Sequence, residues 1–207
     1  MGDLIMNNKY LSKDQGMWNA LYIYAYFRFG CYWSANSVIG MLGNMYREST
    51  WNFGLEERGG SGYGIVQWTP KSKYTNWLVK NGLTDSPDNQ LYRIQYEWVH
   101  NIQWINIIKM SFHDYTKSNI DYKRLCYIFM KNYERPGVYG LEERYNACDW
   151  IAEKIRIAYP NDQIGDTTPP NIDNSNTIGY NNDGTNNTNK NTIKSMNILK
   201  KYIVTQK

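Results

Sequence analysis

The sequence predicts a mainly α-helical domain that carries one small glycine-rich β-hairpin or flap and is followed by a flexible tail. Three observations point there. Apolar residues recur at three- and four-residue spacing through most of the chain before Pro160, a single glycine cluster interrupts that rhythm, and the composition changes sharply near Tyr159-Pro160. The expected divisions are a domain over 1–160, an Asn/Thr/Gly-rich linker over 161–192 and a short segment over 193–207. With 207 residues, the chain is long enough for one well-cored domain plus an extension.

Taken in order, the first helix spans Asp14 to Phe29, with Trp18, Leu21, Tyr22 and Ala25 on one face. A second starts at the N-cap Ser34 and carries Val38, Met41, Leu42 and Met45. Thr69-Pro70 reads as an N-cap with proline at the first helical position, and Gly82 stops the helix that carries Trp77 and Leu78. Ser86-Pro87 repeats this start for a longer helix with Leu91, Ile94, Trp98 and Ile102. Two more helices follow, Tyr122 to Tyr133 and Glu142 to Tyr159. Between the second and third helices, Gly59-Gly60-Ser61-Gly62 reads as a turn, and Tyr63 to Trp68 as a short strand or extended loop.

Composition narrows the function classes. The chain is rich in Trp (8) and Tyr (19), rings that fill cores and also stack on the apolar faces of sugars. Helical spacing assigns most of them to the core. A net charge of +4 suits long-range attraction to anionic wall polymers, while no segment clusters Lys and Arg as a nucleic-acid site would. Cys31, Cys126 and Cys148 form no even disulfide set and no C-x-x-C, and nothing supports a Cys126–Cys148 bridge. The two histidines, His100 and His113, stand alone, so neither a metal nor another cofactor is expected. No apolar run has the length of a membrane span, and Met1 to Tyr10 lacks the features of a signal peptide.

Beyond Pro160, runs such as Asn181-Asn182-Asp183-Gly184 hold too little apolar surface to offset the entropy of ordering. Ile193, Met196, Leu199 and Ile203 then line one side of a short helix, read either as a docking element for a partner or as a frayed end.

The chemistry centres on Gly43-Asn44-Met45-Tyr46-Arg47-Glu48-Ser49, where an apolar helix delivers a carboxyl group to its C-terminal end. The negative end of a helix dipole favours a protonated acid, and packing against aromatic rings would act in the same direction. An acid kept protonated in this way can donate to a glycosidic oxygen. On spacing alone, Glu48 reads first as an exposed helix-end charge or a partner of Arg47 or Arg58, and the catalytic reading comes second.

Gly43-Asn44-Met45-x-x-Glu48-Ser49, then Gly62-Tyr63-Gly64-Ile65-Val66-Gln67-Trp68-Thr69, resembles the phage tail lysozyme family, and Tyr133-Glu134-Arg135-Pro136 with Arg144 and Ala147 resembles its C-terminal signature. The resemblance covers about Tyr10 to Tyr159. It implies a lysozyme-like helical domain on a phage tail, carried in the virion and cutting the glycan strand of bacterial peptidoglycan during genome entry. Such domains often precede a linker and a peptidase domain. It also implies Glu48 as the catalytic acid, Gln67 and Ser49 as groups near the sugar, and Tyr63 and Trp68 as stacking faces, with core packing the competing role for both rings. Glu134 and Arg135 are expected to form a buried ion pair. Partners implied are peptidoglycan itself and phage tail or inner-core proteins reached through the C-terminal segment.

A second carboxylate is less plainly marked. Glu57 is the leading candidate, with Glu56 beside it and Asp85 a remote third. Without one, water held by Gln67 or Ser49 could complete hydrolysis. Alternatively, the muramic 6-hydroxyl could attack, making the chain a lytic transglycosylase. A third reading is a non-catalytic wall-binding or structural tail protein.

Overall fold

A computed structural model describes residues 4–162 and 164, and these form a mainly helical domain. Helix α1 (Lys13–Ala25) opens with a capping box. Ser12 accepts from the Gln15 backbone, and the Gln15 side chain returns the bond to Ser12. Its last turn widens into a π-turn, Tyr26–Gly30, so the expected helix to Phe29 is present with a changed pitch at its end. Helix α2 (Ala35–Ser49) starts from Ser34 as the N-cap signal predicts, with the Ser34 hydroxyl accepting from Ser37.

Helix α3 (Ser72–Lys80) begins later than Thr69-Pro70 suggests. The Thr69 hydroxyl donates to the Gln67 carbonyl at 2.9 Å, so it belongs to the preceding loop and does not cap the helix. Helix α4 (Pro87–Val99) has Ser86 as its cap and Pro87 in its first turn, but ends before Ile102, where Asn101 takes a positive φ of 49°. A short helix, α5 (Phe112–Lys117), was not expected; Ser111 caps it. Helix α6 (Tyr122–Phe129) runs into a second π-turn, Met130–Glu134, and α7 (Leu141–Ala158) closes the set.

The core is built around α2. Every residue from Ala35 to Met45 is buried, the pattern of a helix enclosed on all sides. It packs most extensively on α6 and α7, with α1 and α5 also against it. Gly43 sets the closeness of the α2–α7 seam. A Cβ there would lie 2.3 Å from Cys148 Sγ and 2.6 Å from the Arg144 carbonyl oxygen, so a side chain would force the helices apart. Cys126 on α6 and Cys148 on α7 are buried free thiols beside this contact.

The expected hairpin is reduced to a turn-rich loop with one antiparallel bridge, Glu56 to Tyr63. The alternation from Tyr63 to Trp68 does not make a strand because Gly64 (φ 78°) and Gln67 (φ 49°) both adopt left-handed backbone, which breaks an extended run. No helix among the described residues is long and apolar enough to cross a membrane. Contacts continue to Asp162, which pairs with Arg28 at 2.7 Å. The rest of the 161–192 linker, Ile164 apart, and the whole 193–207 segment lie outside the described residues.

Candidate active site

Glu48 sits on the last turn of α2, where Thr50 (φ 51°) and Trp51 (φ 59°) turn the chain away. This is the helix-end placement expected from sequence. Its neighbour, however, is a guanidinium: Arg144 Nη2 on α7 donates to Glu48 Oε1 at 2.6 Å. The Glu48 side chain keeps 20% of its surface exposed, and that of Arg144 only 1%. Three further bonds fix Arg144. Its Nη1 donates to Asn44 Oδ1 at 2.8 Å, more weakly to the Asn44 carbonyl, and its Nε to the Tyr139 carbonyl at 2.7 Å. Asn44 is held in turn, donating at 2.9 Å to the carbonyls of both Gly40 and Cys126. Thus Gly43, Asn44 and Glu48 of the first motif and Arg144 of the third act on one another across the α2–α7 seam.

Glu134 stands at the end of the second π-turn. The expected Glu134–Arg135 ion pair is not formed. Arg135 instead donates to the carbonyls of Gln103 at 2.7 Å and Asn132 at 2.6 Å. The reason is local: Arg135 has φ 54°, so the chain reverses its helical course there and the two side chains part. Glu134 Oε1 is sealed from solvent and has no hydrogen-bond partner among the described residues. Burial pushes this carboxyl well above the usual carboxylate range, and the charge of Glu48 pushes it the same way. Arg144 and, more weakly, Arg135 act against the shift, while Glu97 adds to it. The Tyr-Glu-Arg-Pro sequence contained this acid, but chain adjacency pointed to the wrong partner.

The other residues singled out in the sequence are engaged within the protein. Buried Ser49 donates to the carbonyls of Met45 and Ile65, each at 3.0 Å, tying the end of α2 to the glycine loop. Glu57 is exposed, and its Oε2 accepts from the Ser61 and Gly62 backbone at 3.1 and 2.9 Å. It closes the loop and is not set opposite Glu48 by any contact. Gln67 uses its side-chain nitrogen on the carbonyls of Leu55 and Gly64. Trp68 is buried and stacked on Tyr74 at 4.7 Å, with its indole N–H donating to Glu97. Tyr63 also stacks on Tyr74 and donates to Asp85. Both rings are buried and engaged in packing.

The alternative carboxylates are accounted for as well. Glu56 pairs with Lys71 at 2.5 Å, and Asp85 accepts from Tyr63 and Tyr74. One polar centre had no counterpart among the sequence expectations. Buried Glu97 on α4 accepts from Trp68, from Arg93 at 2.8 Å and from Tyr133, which joins the glycine loop to the π-turn that carries Glu134. Its only sequence signal was an acid at i+4 from Arg93 on an amphipathic helix. Among the described residues, no group of three or more His, Cys, Asp and Glu side chains is arranged to hold a metal ion.

A family model described as phage tail lysozyme matches residues 18–155, a span that includes Glu48, Glu134 and Arg144. The chain is also 44% identical over 149 residues to "Morphogenesis protein 1" of Bacillus phage B103, a match covering 69% of this chain and 40% of that protein. The chain therefore spans about two fifths of the length of that relative.

Proposed function

The chain belongs to the phage tail lysozyme family, and from that premise we propose that it cuts the glycan strand of bacterial peptidoglycan, with Glu48 delivering the proton to the departing oxygen. The observation that supports this most directly is the hydrogen bond from Arg144 on α7 to Glu48 at the end of α2, which joins two of the motifs that resemble the family. A carboxyl there is partly open to solvent, stands at the negative end of a helix, and is held in one orientation by a rigid donor.

The chemistry asked of it is modest in kind. Protonation of the glycosidic oxygen lets the C1–O bond break through an oxocarbenium-like transition state, help worth about 10²- to 10⁴-fold. Water captures the sugar in a hydrolase. In a lytic transglycosylase the muramic 6-hydroxyl captures it, leaving an anhydro end. The engagement of Glu57 with its own loop favours keeping this second outcome in view, because the loop carboxylate expected to activate water is occupied. By the same reading, the enzyme is carried in a phage tail and opens the wall locally as the genome enters.

Product analysis tests the proposal. Purified peptidoglycan digested with the wild-type chain should give new glycan ends that Glu48→Gln does not produce, while the variant keeps its fold by circular dichroism. Reducing ends identify a hydrolase and 1,6-anhydromuramic ends a transglycosylase. Wall binding by both proteins with no new ends from either would make this a non-catalytic tail protein.

A further inference from the structure

We propose that Tyr139 and Lys131 form a substrate subsite beside Glu48, in which the Tyr139 ring carries a sugar of the glycan strand and the Lys131 ammonium takes a carboxylate of the attached peptide. The identity of this ligand rests on the glycan-cutting reading; the binding itself requires no cleavage.

The loop from Arg135 to Gly140 joins the second π-turn to α7 and touches the end of α2 at two points. The Tyr139 carbonyl accepts from Arg144 Nε at 2.7 Å, and the same guanidinium donates to Glu48 Oε1 at 2.6 Å. The Tyr139 backbone and the Glu48 carboxyl are thus bound to one planar group. The next residue, Gly140, approaches α2 so closely that a Cβ there would lie 2.8 Å from Arg47 Nε. At the other end of the loop, Arg135 donates to the carbonyls of Gln103 and Asn132, and Pro136 restricts the backbone that follows.

A loop fixed in this way nevertheless presents Val138 and Tyr139 to water, and Tyr139 keeps 43% of its surface exposed. Its ring is held from the rim. Lys131, on the second π-turn, donates to the Tyr139 hydroxyl at 2.6 Å and lies 4.7 Å from the ring centroid. A ring oriented before the ligand arrives loses little freedom on binding, and its apolar body suits the C–H face of a sugar. Tyr63 and Trp68 are buried in packing, whereas Tyr139 is open and bound through its backbone to the partner of Glu48. An ammonium has three N–H groups, and the bond to Tyr139 uses one. Among the described residues, no acid forms an ion pair with Lys131. Its charge is available to a carboxylate, which the peptides of the wall place next to the sugar.

Calorimetric titration of the full chain tests this, with Glu48→Gln as host so that the ligands stay intact. The probes are N-acetylchitopentaose, which has sugars and no carboxylate, and a disaccharide-tetrapeptide purified from peptidoglycan. Tyr139→Ala keeps the carbonyl that Arg144 uses, and it should weaken both probes by about fivefold or more. Tyr139→Phe, which keeps the ring, should hold chitopentaose within about twofold of the host. Lys131→Met should weaken the tetrapeptide probe by about two- to fivefold, because the ammonium is solvated, and barely change chitopentaose. No binding of either probe by the folded host, unchanged binding in a folded Tyr139→Ala, or equal losses for the two probes in Lys131→Met overturns the subsite. In the chain that retains Glu48, Tyr139→Ala should raise KM for peptidoglycan and leave kcat nearly unchanged. A fall in kcat alone would mean that the residue acts through Arg144, and this too overturns the proposal. A wild type that makes no new glycan ends while the binding losses appear sinks the glycan-cutting reading and supports the subsite.

Discussion

The glycine loop between Gly54 and Pro70 and the helix seam around Glu48 use their polar groups in opposite ways. In the loop, Glu57, Gln67 and the Trp68 indole all satisfy partners inside the protein, and Ser49 and Gln90 brace it from outside. Gly64 shows how tight the loop is: its φ is 78°, and a Cβ would meet Gln90 Oε1 at 2.7 Å. At the seam, Glu48 remains partly in water, and on the second π-turn Glu134 has a buried oxygen without a hydrogen bond. Fully satisfied polar groups rigidify a fold, whereas groups held short of satisfaction are free for chemistry. The loop is thus the frame, and on the proposed reading the proton donor lies where α2 meets α7.

Four substitutions sharpen or break that contrast. Arg144→Met should have the largest effect, about 3–5 kcal/mol of stability lost, because it strips the buried partner from Glu48 and Asn44. Urea unfolding gives the value, and a change as small as that of a surface pair would mean the seam is not electrostatically tight. Glu134→Gln comes next and depends on pH. Because the folded-state affinity of Glu134 for its proton is raised, its contribution is fully present below the unfolded glutamate value of about 4.3 and fades as pH rises through the folded value. The variant should therefore gain stability relative to wild type as pH rises, by about 1.4 kcal/mol for each pH unit separating the two values. Denaturation at pH 4 and pH 8 reads this, and a constant difference would contradict it.

Ser49→Ala removes a hydroxyl that joins the helix end to the loop, and should cost about 1–2 kcal/mol while peptidoglycan cleavage continues. Complete loss of cleavage in a folded variant would return Ser49 to the catalytic machinery. The smallest effect should come from Glu143→Gln. Its partner Arg47 lies one residue before Glu48, and the pair spans the same two helices at the same 2.6 Å as Glu48–Arg144, but with both side chains largely in water. After screening, it should be worth less than about 1 kcal/mol in thermal melts. A larger loss would show that the exposed pair, too, holds the seam.

Much of the helical frame was legible because its signals are local. Ser34 and Ser86 announce helix starts that need only their neighbours, and the apolar Val38, Met41, Leu42 and Met45 mark the helix that follows Ser34. The position of Glu48 at a helix end was readable for the same reason. Other features depend on distant contacts. Nothing in Tyr26 to Gly30 or Met130 to Glu134 distinguishes a π-turn from ordinary helix. The alternating run from Tyr63 looked like a strand because side-chain pattern says nothing of a left-handed Gln67. Arg144 lies 96 residues from Glu48, so sequence offered the nearer Arg47 and Arg58 in its place. Motif membership pointed to Glu134, but its burial and the influence of the Glu48 charge on it are properties of the assembled domain.

At Gly43, a single hydrogen stands where other residues carry carbon, and it sits five positions before Glu48 on the strip of α2 that touches α7. A methyl group there would leave every ionisable residue in place and still draw the arginine out of reach. Competence in this domain is therefore also a matter of clearance between two rods, and it is open to loss through a change that carries no charge.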